Sequence, residues 1–169
     1  AVCWGNLSGE YPGPFEEVDF GWGHACGRYS DNTVECWGSN DDKAYAPYVE
    51  FSEISLAANA SCGIQLADGA INCWGSDSTG LISDIPVGEF TTLEMGDAQG
   101  CAVHTNGSIS CWGDDTEGIV SNSPFGIDYV QVSTGNSGAC AIDSFGVVAC
   151  WGYSQISQGV PNSTLGPFV

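Results

Sequence analysis

The sequence predicts an all-β protein made of tandem repeats that are stapled by disulfides. The triplet Cys-Trp-Gly occurs five times, beginning at Cys3, Cys36, Cys73, Cys111 and Cys150, at spacings of 33, 37, 38 and 39 residues. Each of the last four triplets follows another cysteine by 10 or 11 residues. Glycine accounts for 24 of the 169 residues, and no stretch keeps a helical period beyond a turn or two. Helices therefore have little room in this chain.

The paired cysteines are predicted to face each other across a β-hairpin. Turn signals lie between them at residues 30–32, 67–69, 105–107 and 144–146. In three copies, a three-residue loop ending in Gly or Asn places the cysteines opposite one another, because these residues tolerate positive φ. The second copy has one residue more, which predicts a bulge or a four-residue loop. The predicted disulfides are Cys26–Cys36, Cys62–Cys73, Cys101–Cys111 and Cys140–Cys150, and Cys3 is left unpaired or available to another chain.

Alternating apolar residues indicate a strand on each side of every turn and a further strand upstream. The upstream runs are 15–20, 49–56, 90–95 and 129–132. Three strands and a short fourth segment after the triplet correspond to one propeller blade or one rung of a β-superhelix. The chain is thus predicted to be β-propeller-like, with about four blades between partial terminal blades. The predicted units are 1–14 (end of a partial blade and linker), 15–48, 49–89, 90–128, 129–160 and 161–169 (start of a further blade).

Aromatic residues fall into two groups. The triplet tryptophans recur at one place beside the disulfide, which favours packing between neighbouring blades over sugar stacking. They are Trp4, Trp37, Trp74, Trp112 and Trp151. Trp22 lies outside this register and is the better candidate for a contact residue, with the loop-side tyrosines Tyr29, Tyr45, Tyr48 and Tyr153.

The charge balance is strongly acidic. Against 21 acidic residues stand only Lys43 and Arg28, and the formal net charge is −19. Such a chain has almost nothing with which to displace the counterions of a phosphate backbone, so nucleic acid and anionic membranes are predicted to be poor partners. No apolar run is long enough for membrane insertion. Basic proteins, divalent cations and neutral glycans stay open.

Cysteine usage indicates the compartment. Nine cysteines in a chain of this size favour an oxidising environment, and the protein is predicted to be secreted or extracellular. Candidate glycosylation sites at Asn6, Asn59, Asn106 and Asn162 fit such a surface. The first residues lack the charged and apolar regions of a signal peptide, which predicts a mature form or an excised segment.

Motifs that carry catalytic chemistry are not found in the sequence. It has no glycine-rich phosphate loop, His-Glu-x-x-His or Gly-x-Ser-x-Gly, which predicts a protein without enzymatic activity or cofactor. Zinc is disfavoured because Cys-x-x-Cys is missing and only His24 and His104 could assist; both are predicted to be structural. Loops 40–42, 77–80 and 114–118 gather oxygen donors, yet calcium takes about six to eight oxygens. A solvated turn with a capping Asp is the favoured interpretation.

The inner pattern of the repeat resembles that of a known family. In the third copy it reads Cys101-Ala102-Val103, Asn106-Gly107, Ile109-Ser110-Cys111-Trp112-Gly113 and Gly118-Ile119. This pattern is similar to the regulator of chromosome condensation repeat family, which includes a propeller-shaped β-lactamase inhibitor protein. The resemblance covers roughly residues 15–160 and implies propeller-like packing of blades around an axis. It does not imply nucleotide exchange or chromatin binding, because nothing in these loops matches those surfaces.

The two ends are complementary as sequence. Residues 1–5 read as the last strand of a blade, and residues 166–169 restate the opening at 13–15. Closure of a five-unit ring, head-to-tail assembly and a segment of a longer ring or superhelix all stay open, and the segment is favoured.

The predicted function is a non-enzymatic extracellular structural or interaction scaffold, for instance in a surface appendage or filament, with a protein partner or self-assembly. The alternative is a soluble binding module, either an enzyme inhibitor or a glycan-binding, lectin-like propeller. An extracellular enzyme is a third hypothesis, and it requires a deep pocket with perturbed carboxylates.

Overall fold

The computed structural model describes residues 2–3, 9–10, 13–38 and 45–153. Regular secondary structure in these residues is entirely β-strand, which confirms the predicted all-β fold. Within the same ranges, no helix has the length and hydrophobicity needed to cross a membrane. The strands are β1 (Val2–Cys3), β2 (Gly9–Glu10), β3 (Phe15–Phe20), β4 (His24–Tyr29), β5 (Val34–Gly38), β6 (Phe51–Leu56), β7 (Ala60–Gln65), β8 (Ile71–Gly75), β9 (Phe90–Met95), β10 (Gln99–His104), β11 (Ile109–Gly113), β12 (Tyr129–Thr134), β13 (Gly138–Asp143) and β14 (Val148–Gly152).

Four three-stranded antiparallel sheets follow one another along the chain. They are sheet 1 (β3–β5), sheet 2 (β6–β8), sheet 3 (β9–β11) and sheet 4 (β12–β14), and in each the second strand is central. Three strands per repeat were predicted, and this is confirmed. After the triplets, residues 76–89 and 114–128 form turns and irregular chain, whose amides bond to aspartates within the same segment. Strands β1 and β2 pair as a separate two-stranded sheet.

The hairpin turns explain how each pair of cysteines comes into register. The last loop residue has a positive φ in every copy, at Asn32 (67°), Gly69 (69°), Gly107 (82°) and Gly146 (81°). Asn and Gly adopt this left-handed conformation at little cost. A backbone hydrogen bond from His104 to Ser108 closes a three-residue loop in the third copy. In the second copy Gln65 bonds to Ala70 around four residues, as the extra residue predicted.

Disulfides join the second and third strands of every sheet. The register sets the cysteines directly opposite each other, as Cys101 faces Cys111. Sulfur atoms lie 2.05–2.10 Å apart, with Cα separations of 4.0–4.1 Å. The bonds are Cys26–Cys36, Cys62–Cys73, Cys101–Cys111 and Cys140–Cys150. Each closes a short ring, worth about 2–3 kcal/mol through the entropy of the unfolded chain.

Apolar clusters lie between consecutive sheets, and we call each contact a joint. The disulfide face of one sheet packs against the first strand and the triplet tryptophan of the next. In the joint of sheets 1 and 2 the residues are Cys26, Val34, Cys36, Phe51, Ile54, Leu56 and Trp74. Two further clusters, between sheets 2 and 3 and between sheets 3 and 4, likewise combine a disulfide, apolar residues of the next first strand and the next triplet tryptophan. The sheets thus bury their apolar residues against one another.

Three of the triplet tryptophans lie in these joints. Trp74, Trp112 and Trp151 are buried. The indole nitrogen of Trp112 donates to the carbonyl oxygen of Leu81 at 3.1 Å, and Trp151 donates to Ile119 at 2.8 Å. Leu81 and Ile119 lie in the segments that follow the last strand of the preceding sheet. Each indole therefore contacts the connecting segment as well as the sheet before it. Trp37 stacks on Phe15 within sheet 1.

Other sequence predictions fall outside the described residues. These are Trp4, the side chain of Cys3, the candidate glycosylation sites Asn6 and Asn162, loop 40–42 with Lys43, and residues 161–169. The repeat limits 15–48, 49–89, 90–128 and 129–160 stay predictions, although each sheet lies within one of them.

Replacing Trp112 with phenylalanine tests the joint, because the ring stays aromatic while its donor is lost. The carbonyl of Leu81 then lacks its buried partner, and we expect the free energy of unfolding to fall by about 1–3 kcal/mol. Denaturant unfolding measures the change. Trp22→Phe is the matched control, because the Trp22 side chain is 71% exposed, and its effect should stay within about 0.5 kcal/mol. Equal responses of the two variants would contradict the role given to Trp112.

Candidate functional site

The first strands of neighbouring sheets are linked by side chains instead of by a backbone ladder. The side chain of Asp19 accepts a hydrogen bond from the backbone amide of Leu56 at 2.7 Å. The Glu17 carboxylate accepts one from the amide of Ile54 at 3.4 Å. A first strand lies at the edge of its sheet, so its outward amides would otherwise have no partner in the joint.

The same arrangement recurs at the next joint. Glu53 accepts from the amide of Leu93 at 3.3 Å, and the hydroxyl oxygen of Ser55 accepts from the amide of Met95 at 3.0 Å. Sheet 1 thus supplies acceptors to sheet 2, and sheet 2 supplies them to sheet 3. We call these contacts the edge bonds.

The edge bonds concentrate carboxylates in a partly buried region. Burial raises the pKa of Glu53 to about 7, and the nearby carboxylates of Glu17 and Glu94 act in the same direction. Burial also raises the pKa of Glu94, with a further contribution from Asp19. Arg28 reduces the repulsion among these carboxylates. It donates to Glu17 at 2.8 Å and favours the charged form of Glu53.

A cleft of about 320 Å³ opens where the first strands of all four sheets end, and we call it the central cleft. Its walls come from the same position in every repeat: residues 19–22, 56–58, 94–97 and 134–136. Trp22 lies at this cleft with its amide bonded to the carbonyl of Ala58, and Ala58 in turn bonds to Asp97. The cleft combines an exposed indole with the carboxylates of Asp19, Glu94 and Asp97.

The tyrosines proposed as contact residues do not join Trp22. Tyr45 and Tyr48 line a separate cleft of about 550 Å³, next to Glu35 and Glu50, which shares no residue with the central cleft. Tyr29 lies beside its own hairpin turn and donates to Glu35. Tyr153 is exposed after β14. The predicted contact residues are therefore spread over several surfaces.

Two candidate glycosylation sites lie among the described residues. The side chains of Asn59 and Asn106 are both exposed. The amide oxygen of Asn106 accepts hydrogen bonds from the backbone and the hydroxyl of Ser108, which fixes the side chain in its turn. Occupancy of these sites stays a prediction.

In the acidic loops after the triplets, aspartate side chains accept hydrogen bonds from backbone amides of the same loop. Asp77 accepts from the amides of Ile82 and Ser83, and Asp115 accepts from Val120 and Ser121. These hydrogen bonds lower the pKa of both aspartates. In the part of the chain that the structure describes, no three His, Cys, Asp or Glu side chains are arranged to hold a metal ion.

The two histidines make structural contacts. His24 is buried, and its Nε2 lies 3.0 Å from the hydroxyl oxygen of Ser61 in sheet 2. His104 packs on the ring of Phe90 and bonds to Ser110 at 2.8 Å. Burial lowers the pKa of His104.

Sequence reasoning missed the edge bonds. A signal was present, because the first strands carry polar residues at matching positions in all four repeats. These pairs are Glu17 with Asp19, Glu53 with Ser55, Thr92 with Glu94, and Gln131 with Ser133. Alternation alone suggests that such residues face solvent, whereas the structure turns those of sheets 1 and 2 toward the next sheet.

Comparison with known proteins supports the resemblance found in the sequence. The family described as regulator of chromosome condensation (RCC1) repeat matches residues 15–43. These residues include all of sheet 1. The predicted resemblance to this repeat family is therefore confirmed at the level of the repeat. No curated protein is similar to this chain in sequence at a significant level.

Solved structures share the fold. The entire ectodomain of the Physcomitrella patens receptor kinase CR4 superposes with a TM-score of 0.76 at 23% identity, over 97% of this chain and 48% of that one. The ectodomain of the Arabidopsis thaliana receptor kinase ACR4 gives 0.68 at 24%, over 88% and 52%. Yeast RCC1 (Prp20), solved bound to Kap60, gives 0.66 at 12%, over 96% and 48%. The chain is thus propeller-like and spans about half the length of these relatives.

Glu53→Gln tests the electrostatics of the edge bonds. In the unfolded chain Glu53 loses its proton near pH 4.5, and in the folded protein it does so near pH 7. Between these values the folded state binds more protons, so stability falls as the pH rises through the window. We expect the variant and wild type to match near pH 4.5 and the variant to be more stable above pH 7. Denaturant unfolding across this range measures the difference.

Glu50→Gln is the control, because the Glu50 side chain is exposed. It should shift stability nearly equally at both ends of the range. A Glu53→Gln effect that does not depend on pH would contradict the proposed burial of this carboxylate.

Proposed function

We propose that this chain is a non-enzymatic extracellular interaction scaffold. The observation that carries the proposal is that interior polar side chains bind the main chain of the following repeat, as Glu17, Asp19, Glu53 and Ser55 do. Each of these acceptors satisfies a main-chain amide of the next repeat, which gives it a structural role in the joint. Eight of the cysteines form disulfides, and Trp74, Trp112 and Trp151 lie in joints.

A scaffold of this construction is rigid without helices. Each hairpin is closed covalently, and each joint adds an apolar cluster, an indole hydrogen bond or an edge bond. Loops outside the joints are then free to vary without loss of the fold. This combination suits a component of a cell surface, an appendage or a matrix.

Several observations support the extracellular setting. Four disulfides form most readily in oxidising compartments. Two of the compared structures are receptor-kinase ectodomains. The net charge of −19 favours a protein partner over nucleic acid.

Limited proteolysis tests the scaffold proposal. We expect the oxidised protein to resist a protease that cuts at large apolar residues, and the reduced, alkylated protein to be cleaved at least about tenfold faster. The reason is that each ring contributes about 2–3 kcal/mol against the opening that exposes cleavage sites. Mass spectrometry of timed samples gives both rates. Rapid cleavage inside the sheets of the oxidised protein would contradict a rigid scaffold.

The central cleft favours a second candidate function, that of a soluble binding module. Trp22 and Phe20 are exposed beside Asp19 and Glu94. An indole platform with polar neighbours suits a sugar face in a lectin-like module, or a side chain of a target in an enzyme inhibitor.

A thermal-shift screen against a glycan panel tests the lectin form of this candidate. A binding sugar should raise the unfolding midpoint of wild type, because ligand at about 100 times its Kd stabilises by about 2.7 kcal/mol. Trp22→Ala should abolish the shift, whereas Tyr48→Ala, in the other cleft, should keep it. A shift that survives Trp22→Ala would exclude the central cleft as the sugar site.

A further inference from the structure

The hairpin turn of sheet 3 carries a complete acceptor sequence for an N-linked glycan. It reads Asn106-Gly107-Ser108, and the side chain of Asn106 is exposed. The side-chain oxygen of Asn106 accepts hydrogen bonds from the backbone amide of Ser108 at 2.9 Å and from its hydroxyl at 2.8 Å. The asparagine and the hydroxyl are the two groups that define such a site. They are therefore in direct contact on an exposed turn.

The turn needs only the oxygen of this side chain. In sheet 1 the corresponding Asp31 accepts from the amide of Thr33 at 3.1 Å and from its hydroxyl at 2.6 Å. In sheet 2, Asp68 accepts from the amide of Ala70. A carboxylate thus fills the same place as the amide of Asn106. Within the described part of the chain the amide nitrogen of Asn106 donates no hydrogen bond, so the turn does not depend on it.

The second described acceptor sequence, Asn59-Ala60-Ser61, lies in a different environment. Asn59 is exposed, but Ser61 is fully buried. The hydroxyl oxygen of Ser61 lies 3.0 Å from Nε2 of His24 and 3.8 Å from Sγ of Cys26, in the joint of sheets 1 and 2. A transferase recognises the hydroxyl as well as the asparagine. Formation of this joint therefore removes one of the two groups from its reach.

We propose that Asn106 is the acceptor of an N-linked glycan and that folding withdraws Asn59 from the same reaction. The inference goes beyond the scaffold function and shares with it only the extracellular setting. The two sequences differ in this respect because Asn106 and Ser108 stay together at a turn after folding, whereas Ser61 becomes part of a joint.

The donor in this reaction is an oligosaccharide linked to a lipid diphosphate. The side-chain nitrogen Nδ2 of Asn106 attacks the anomeric carbon of the first sugar. The new C–N bond forms as the C–O bond to the diphosphate breaks, and the lipid diphosphate leaves with the electron pair of that bond. A base of the transferase takes one proton from the nitrogen.

The turn lies at the opposite end of sheet 3 from the central cleft. Strand β10 begins beside the cleft wall at residues 94–97 and ends at the turn. Its six residues, at about 3.3 Å each, place the two ends roughly 20 Å apart. Gly107 lies against the carbonyl oxygen of Ile127, whose side chain is 66% exposed. A glycan on Asn106 would therefore shield apolar surface near the turn and leave the central cleft open.

Secretion of the chain from a eukaryotic cell tests the proposal. An amidase that releases N-linked glycans, used in heavy-oxygen water, converts each modified asparagine to a labelled aspartate, and earlier deamidation carries no label. Peptide mapping then gives the occupancy of each acceptor sequence separately. We expect a strong label at Asn106 and a weak one at Asn59. A reductant that delays disulfide formation should raise the label at Asn59, because Ser61 then stays accessible for longer.

Variants separate the glycan from the turn. Asn106→Asp should abolish the glycan and keep the turn, as Asp31 does in sheet 1. Its unfolding midpoint should match that of the enzymatically deglycosylated wild type. Ser108→Ala should also abolish the glycan, whereas Ser108→Thr keeps the hydroxyl and should keep the glycan. Asn59→Asp is the control, and it should leave the intact mass of the secreted protein nearly unchanged.

Asp31→Asn transfers the site to sheet 1. Residues 31–33 then form an acceptor sequence in which Thr33 supplies the hydroxyl. Asp31 and Thr33 are both exposed and already make the two hydrogen bonds seen in the turn of sheet 3. We expect this variant to gain a second glycan, and its absence would contradict the role given to the turn.

An unlabelled Asn106 in the secreted wild type, or equal labels at Asn59 and Asn106, would overturn the inference. A protein that lacks the glycan at Asn106 and still resists protease would leave the scaffold proposal standing. Rapid cleavage within the sheets of a glycosylated protein would instead count against the scaffold alone.

Discussion

The unpaired edge of each first strand is the constraint on which this structure depends. A three-stranded sheet of this size cannot bury both its apolar residues and its edge amides alone. At the joints of sheets 1 and 2 and of sheets 2 and 3 the preceding repeat solves both problems, because its disulfide face covers the apolar residues and its polar side chains accept from the edge amides. Stability is therefore a property of neighbouring repeats.

Local interactions form each hairpin, and non-local interactions join one repeat to the next. Disulfides and turns fix each hairpin over 10 or 11 residues, whereas edge bonds and indoles join residues 31 to 40 positions apart. Crowding carboxylates into the joints has an electrostatic cost, which appears as the raised pKa of Glu53 and is offset at the first joint by Arg28. The polar groups of the joints thus hold the repeats of the chain together. Exposed surfaces such as the central cleft are the ones available to bind a partner.

The sequence predicted what is local and what recurs. The turns, the opposed cysteines and the longer loop before Cys73 follow from short spacings, and the position of Trp112 follows from its repetition. The edge bonds were missed because Glu53 and Leu93 are 40 residues apart, and no local pattern pairs a carboxylate with a distant amide. Residues 76–89 form turns, in which the side chain of Asp77 accepts a hydrogen bond from the backbone amide of Ile82. Tyr45 and Trp22 are both aromatic and were predicted as contact residues, but they line separate clefts. Their positions depend on the path of the whole chain, which no local pattern gives.

Native-state hydrogen exchange at the edge amides is the most direct test of this account. The amides of Leu56, Leu93 and Met95 lie on strand edges, and unpaired edge amides exchange readily with solvent. If side chains of the preceding repeat hold them, they should be protected to a degree similar to amides of the central strands, such as Ala102. Exchange as fast as that of the connecting loops would contradict the central claim that repeats are joined through these bonds.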